Sequence, residues 1–127
     1  MNEKMDDLQN KIALVTGSGK GIGRAVAELL AQHGATVVVT ARTASDLEQV
    51  ATAIKQAGGQ AVPVAGDITD GSFVERLFET IHQQFGRLDI LVNNAGIAPF
   101  GPIEDMPVEK LRYCLELNVI AVFACMQ

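Results

Sequence analysis

Gly17, Gly21 and Gly23 stand G-x-x-x-G-x-G apart in the run TGSGKGIG (Thr16–Gly23), between an apolar run and an amphipathic one. Glycines at such a turn let an anion's oxygens reach backbone N–H groups with no Cβ atoms in the way. A helix opening near Ile22 adds its unpaired first-turn N–H groups and roughly +0.5 charge. The chemistry expected at Gly17, Gly19, Lys20, Gly21, Ile22 and Gly23 is phosphate binding, and Gly23 should also let the helix pack close to its strand. Two neighbouring patterns fail. G-x-G-x-x-G would need glycine at Ile22 or Arg24, and G-x-x-x-x-G-K-[ST] would need glycine at Leu14 and Ser or Thr at Gly21.

A second cluster of small residues, Asn93-Asn94-Ala95-Gly96, follows the apolar run LDILV. Small side chains there leave room for a ring system to approach the backbone. About 20 residues after the glycine turn, a carboxylate would hold a ribose 2′-hydroxyl. The stretch found there, Thr40-Ala41-Arg42-Thr43, has none. Arg42 instead offers a planar fork suited to a phosphate, and Lys20 is a second cation.

The elements that position these residues alternate. Lys11–Thr16 reads as a buried strand. Ile22–His33 reads as a helix with Ile22, Val26, Leu29 and Leu30 along one stripe, closed by Gly34. Thr36–Thr40 is β-branched and strand-like. Ser45 and Glu48 predict a capping box for a helix running to Ala57, and Gln60–Ala65 predicts a third strand. Asp70 is the expected cap of a helix through Phe85 with Phe73, Leu77, Ile81 and Phe85 in line. Leu88–Asn93 reads as a fourth buried strand and Pro99–Pro107 as a loop. Val108 to the end reads as one helix with Leu111, Leu115 and Val122 on one side. Four strands joined by three helices predict an α/β doubly wound parallel sheet, with ligands at the strands' carboxyl ends. Each cluster above falls at such an end.

TGSGKGIG and NNAG, with the βα units between them, resemble the short-chain dehydrogenase/reductase family over about residues 10–127. The resemblance implies a Rossmann domain over 11–127, preceded by a polar extension, 1–10, and an oxidoreductase moving hydride between a nicotinamide and a carbonyl or alcohol carbon. It assigns Asn94, Ala95 and Gly96 to the cofactor, Asn93 to bracing the sheet, and Asp67 and Ile68 to the adenine. Lys20 and Arg42 without the acid resemble the NADP-preferring pattern. Asn118, in LELNVIAVF, resembles the Asn of the catalytic tetrad Asn-Ser-Tyr-Lys, its backbone carbonyl helping to hold a water. The nearest resemblance is to bacterial 3-oxoacyl-thioester reductases, without fixing a substrate. A homo-oligomer is expected of the complete enzyme.

The rest of that tetrad has no counterpart here. The one tyrosine, Tyr113, has Leu117 four residues on, and the serines, Ser18, Ser45 and Ser72, all precede NNAG. On the resemblance, the 127 residues read as the N-terminal half of such an enzyme, inactive alone, with LDILV left as an exposed edge prone to association. The other reading is a non-catalytic dinucleotide-binding module or partner subunit. No metal spacing is present, and acid–base work is not expected of His33 or His82.

Composition narrows the remainder. A net charge of −5 with ten scattered Lys and Arg excludes a nucleic-acid footprint. MNEKMDDLQN has no apolar core, so no secretory leader is expected, and Val119–Met126 is far shorter than the ~20 residues that span a bilayer. Cys114 and Cys125 on one helix would lie ~16 Å apart, beyond disulfide reach. They are expected as free, buried thiols in a cytoplasmic protein.

Overall fold

The computed structural model describes residues 7–127. Its elements run β1 (Ile12–Thr16), α1 (Gly21–Gln32), β2 (Thr36–Ala41), α2 (Ala44–Gln56), β3 (Gln60–Ala65), α3 (Gly71–Phe85) and β4 (Ile90–Val92). A short 3-10 turn at Ile103–Asp105 precedes α4 (Val108–Leu115), a wide π turn (Glu116–Ile120) and α5 (Ala121–Met126). The strands form a parallel sheet in the order β3-β2-β1-β4, with Ile12 opposite Thr36, Thr36 opposite Gln60, and Ala13 opposite Ile90. This is the doubly wound arrangement expected, and the order places the ends of β1 and β4 side by side.

Two apolar layers cover the sheet. One packs Val15, Val37 and Val39 under α1 and α2, through Ala27, Ala31, Leu47, Val50 and Ile54. The other packs Leu14 and Val38 under α3, the π turn and α5, through Phe73, Leu77, Ile81, Leu117, Ala121 and Cys125. Alternation along β1 and β2 thus feeds opposite faces, as the period of two requires. Pro63 lies within β3, an edge position where a missing N–H is tolerated.

Several local expectations held. Asp70 caps α3, accepting from the Ser72 N–H at 3.0 Å, and Phe73, Leu77 and Ile81 form its buried stripe. Gly34 has the left-handed φ of 101° that closes α1.

Others are corrected. The inner face of α1 is Gly23, Ala27 and Ala31, while Ile22 and Leu29 are exposed, because close approach to the sheet selects small side chains. Ser45 is not a cap: Thr43 occupies that position and makes no side-chain cap bond. β4 is three residues long and only half-buried. The last helix runs unbroken from Val108 to Met126, as expected, but widens into the π turn, and its buried line is Leu117, Ala121 and Cys125. Leu111 and Leu115 face outward. Cys114 and Cys125 are free, but Cys114 is only half-buried. Burial raises the Cys125 thiol pKa.

Of the expected N-terminal extension, residues 1–6 lie outside the described residues. Leu8 packs against the α1–α2 layer, and its N–H donates to the His33 carbonyl at 2.8 Å.

Candidate functional site

The carboxyl ends of β1, β2, β3 and β4 open into one cavity of about 270 Å³. Its lining joins the glycine turn (Gly17, Gly19, Lys20), the end of β2 (Thr40–Thr43), the turn after β3 (Gly66, Asp67, Ile68), the turn after β4 (Asn94–Ile97), and Asp46, Tyr113 and Leu117. Residues as far apart in sequence as Gly17 and Leu117 therefore face one space. Of the expected site residues, Gly21, Ile22, Gly23 and Asn118 do not line it. Gly21 and Ile22 start α1 at its rim, Gly23 is buried beneath the turn, and Asn118 stands behind Ile97.

The glycine turn is held from below. The Thr16 hydroxyl accepts the N–H groups of Asn94 and Ala95, both at 3.0 Å. The Asn94 side chain donates to the Gly17 carbonyl at 3.0 Å. Ser18, fully buried, donates to the Val15 carbonyl at 2.8 Å and accepts the Thr40 N–H at 2.9 Å. One hydroxyl thus ties β1 to β4 and the other ties the turn to β2. The bracing expected of Asn93 is supplied by Asn94 instead, and the Asn93 Oδ1 is buried without a partner.

The turn fits a phosphate. Gly17 and Gly21 have φ of 62° and 61°, conformations that favour glycine. A Cβ on Gly17 would stand 2.9 Å from the Ala95 Cα, whereas one on Gly21 would meet nothing within 4 Å. The N-cap of α1, Lys20, makes no side-chain bond to the first turn, and no acidic residue lies in that turn. The N–H groups there are consequently uncapped by any side chain and carry the helix's positive end.

Arg42 is exposed at the end of β2, and its guanidinium lies 5.8 Å from the Tyr113 ring centroid. Asp67 turns its own backbone: Oδ1 accepts from the Thr69 N–H at 2.9 Å and from its hydroxyl at 2.7 Å. Asn118 grips the strand of chain after NNAG. Its Oδ1 accepts the Ile97 N–H at 3.0 Å and its Nδ2 donates to the Ile97 carbonyl at 2.7 Å. The Nδ2 also lies 3.2 Å from the Cys114 Sγ. A Cβ on Gly96 would come 3.0 Å from the Asn118 Oδ1. Asn118 sits inside the π turn, a local widening found often at functional sites. Thr16, Ser18 and Tyr113 were not singled out as site residues from the sequence. No local signal marks them, since their partners arrive from distant strands and helices.

Among the described residues no cluster of His, Cys, Asp and Glu could hold a metal, and no helix is long and apolar enough to cross a membrane.

Residues 11–127 match the short chain dehydrogenase family, and the chain belongs to it. It is 43% identical over 124 residues to an uncharacterized oxidoreductase of Methylorubrum extorquens, covering 97% of this chain and 50% of that protein. It is 40% identical over 116 residues to the cis-4-hydroxycyclohexanecarboxylate dehydrogenase of Sinomonas cyclohexanicum, covering 91% of this chain and 46% of that one. Among solved structures, a metagenomic short-chain oxidoreductase in complex with NADP superposes with a TM-score of 0.90 at 35% identity, covering 94% of this chain and 54% of that one. A short-chain type dehydrogenase/reductase from Mycobacterium marinum superposes with a TM-score of 0.91 at 38% identity, covering 97% and 50%. The chain spans about half the length of the curated relatives it matches.

Proposed function

We propose that residues 11–127 are the dinucleotide-binding half of an NADP(H)-dependent oxidoreductase acting on a small carbonyl or alcohol substrate. The observation that carries this reading is the glycine turn, where Gly17 and Gly21 hold left-handed backbone, a side chain at Gly17 would collide with the Ala95 backbone and the first turn of α1 has no side-chain cap. The bound dinucleotide would supply or accept the hydride.

The chain's own residues bind and orient it. Gly17, Gly19 and the N–H groups of Gly21, Ile22 and Gly23 take the pyrophosphate. Asp67 and Ile68 meet the adenine, the carboxylate using the oxygen not committed to Thr69. Asn94, Ala95 and Gly96 leave space for the ribose and nicotinamide. Lys20 and Arg42 pair with a 2′-phosphate, charge-assisted contacts that NADH cannot make. In the π turn the Asn118 backbone carbonyl serves a water of the proton relay, while its side chain fixes Ile97.

Proton transfer to or from the substrate needs a further acid. Tyr113 has Leu117 rather than a lysine four residues on, so it does not form the Tyr-Lys pair of the tetrad. Residues 1–127 alone would bind the dinucleotide without turning it over. Apolar side chains exposed from α4 through the π turn to α5, among them Leu115, Val119 and Phe123, suit contact between copies in a homo-oligomer. The free thiols suit the cytoplasm.

The test is a calorimetric titration of the native-length polypeptide with NADPH and NADH. A preference for NADPH of about tenfold or more, about 1.4 kcal/mol, is expected. Equal affinities would refute the cofactor assignment, and no binding of either would refute the function.

A further inference from the structure

Tyr113 is left without a part in the reading above, yet it lines the cavity. It is half-buried on α4 and faces the exposed Arg42 across the opening between α4 and the end of β2. The guanidinium carbon stands 5.8 Å from the ring centroid, within range of a weak cation–π contact. Two planar groups that sandwich a third need about 7 Å between them, twice a carbon–carbon contact distance. A flat ring can enter only if the guanidinium and the Tyr113 ring, now 5.8 Å apart, separate by a further ~1 Å or more. Arg42 is a long, exposed side chain able to move that far. Asp67 and Ile68 line the same cavity and offer a carboxylate acceptor and an apolar wall.

We infer that Tyr113 and Arg42 are the two jaws of the purine slot: the adenine of the dinucleotide enters between them and exchanges their mutual contact for a stack on each face. This rests on the dinucleotide reading and adds a residue to it. Arg42 then has two duties, a guanidinium face toward the base and N–H donors toward the 2′-phosphate. Tyr113 has one, toward the base alone, and so acts on NADPH and NADH alike.

The native-length polypeptide and its Tyr113→Leu and Tyr113→Phe variants are titrated with NADPH and NADH. Loss of one base–aromatic stack is expected to weaken both cofactors by about fivefold or more in Tyr113→Leu, with Tyr113→Phe within about twofold of the parent because the ring remains. Binding in Tyr113→Leu within about twofold of the parent for both cofactors overturns the slot and leaves the function standing. Loss for NADPH alone also overturns it, since Tyr113 would then act only through Arg42. Failure of the parent to bind either cofactor overturns the function and the slot together. Should Tyr113→Leu fail to fold, the parent protein decides. With adenosine 2′,5′-bisphosphate, nuclear Overhauser contacts between the adenine H2 and H8 protons and the Tyr113 ring are expected. Their absence from the saturated complex overturns the slot.

Discussion

Gly23 lies against Gly17 so closely that a Cβ at position 23 would stand 2.2 Å from the Gly17 carbonyl oxygen and 2.5 Å from the Asn94 Nδ2. The first obstacle is the turn's own backbone and cannot swing aside, and the second is a side-chain amide that can move only by giving up its bond to Gly17. Gly23→Ala is expected to cost roughly 1–3 kcal/mol by overpacking, read as a lower urea midpoint. The same change should break the Asn94–Gly17 tie and weaken NADPH binding. An alanine variant with the parent's midpoint would show that the turn relaxes freely.

The Thr16 hydroxyl carries the N–H groups of both Asn94 and Ala95. Thr16→Val keeps the shape and the β-branching but strips the acceptor from two amides. A loss of about 2 kcal/mol is expected, from donors left unsatisfied in a partly buried site. Thr16→Ser should recover most of it in the same denaturation assay.

Arg42 is the residue proposed to distinguish the cofactors. Arg42→Asp should lower NADPH affinity by about tenfold to a hundredfold, the range of a charge-assisted pair lost and a like charge gained. NADH should lose only the stack on the base, about fivefold. The ratio of the two dissociation constants, rather than either alone, is the quantity to follow.

The parallel sheet and the glycine turn were legible in the sequence because both are local. β1 and β2 are continuous apolar runs, and Phe73, Leu77 and Ile81 repeat at helical spacing. In α1 the large residues mislead, since the helix approaches the sheet through Gly23, Ala27 and Ala31 and leaves Ile22 outside. Small residues on a helix carry little apolar weight, so the tightest contact gives the weakest pattern. Ser45 looked like a cap because it precedes Glu48 at the right interval, but the chain leaves its extended path earlier, at Thr43. Thr16, Ser18 and Tyr113 were illegible for a different reason. Thr16 reads as an ordinary strand residue until β4 arrives, and Tyr113 meets Arg42 only because α4 crosses the cavity.

Asn118 makes two hydrogen bonds to the backbone of one residue, Ile97. Asn118→Ala removes both, and the Ile97 amide should exchange about fivefold to tenfold faster, the opening equilibrium shifting by roughly one hydrogen bond's net worth. Asn118→Asp keeps the acceptor and loses the donor, so it should fall between. Unchanged exchange in Asn118→Ala would mean the segment after NNAG is held elsewhere.

Asp89 links the start of β1 to the loop before β4. Its carboxylate accepts the Ile12 N–H at 2.8 Å and pairs with Arg87 at 3.0 Å. The backbone bond first, and then Arg87, hold its pKa below the ordinary aspartate value. A depressed folded-state pKa gives stability that is complete above about pH 4 and is lost as pH falls through the lower folded value. Asp89→Asn should therefore flatten the acid limb of a stability-versus-pH curve and leave its slope near neutrality unchanged. An unaltered acid limb would remove Asp89 from the account.

Pro63 gives the sheet a direction of growth. On the β3 side a proline interrupts the row of donors that another strand would need. On the β4 side, Ile90–Val92 has no proline, and the buried side-chain Oδ1 of Asn93 beyond it has no partner. One margin is closed by its own covalent chemistry, and the other can still accept a neighbour. Any extension of this sheet, from whatever chain it comes, has one side on which to dock.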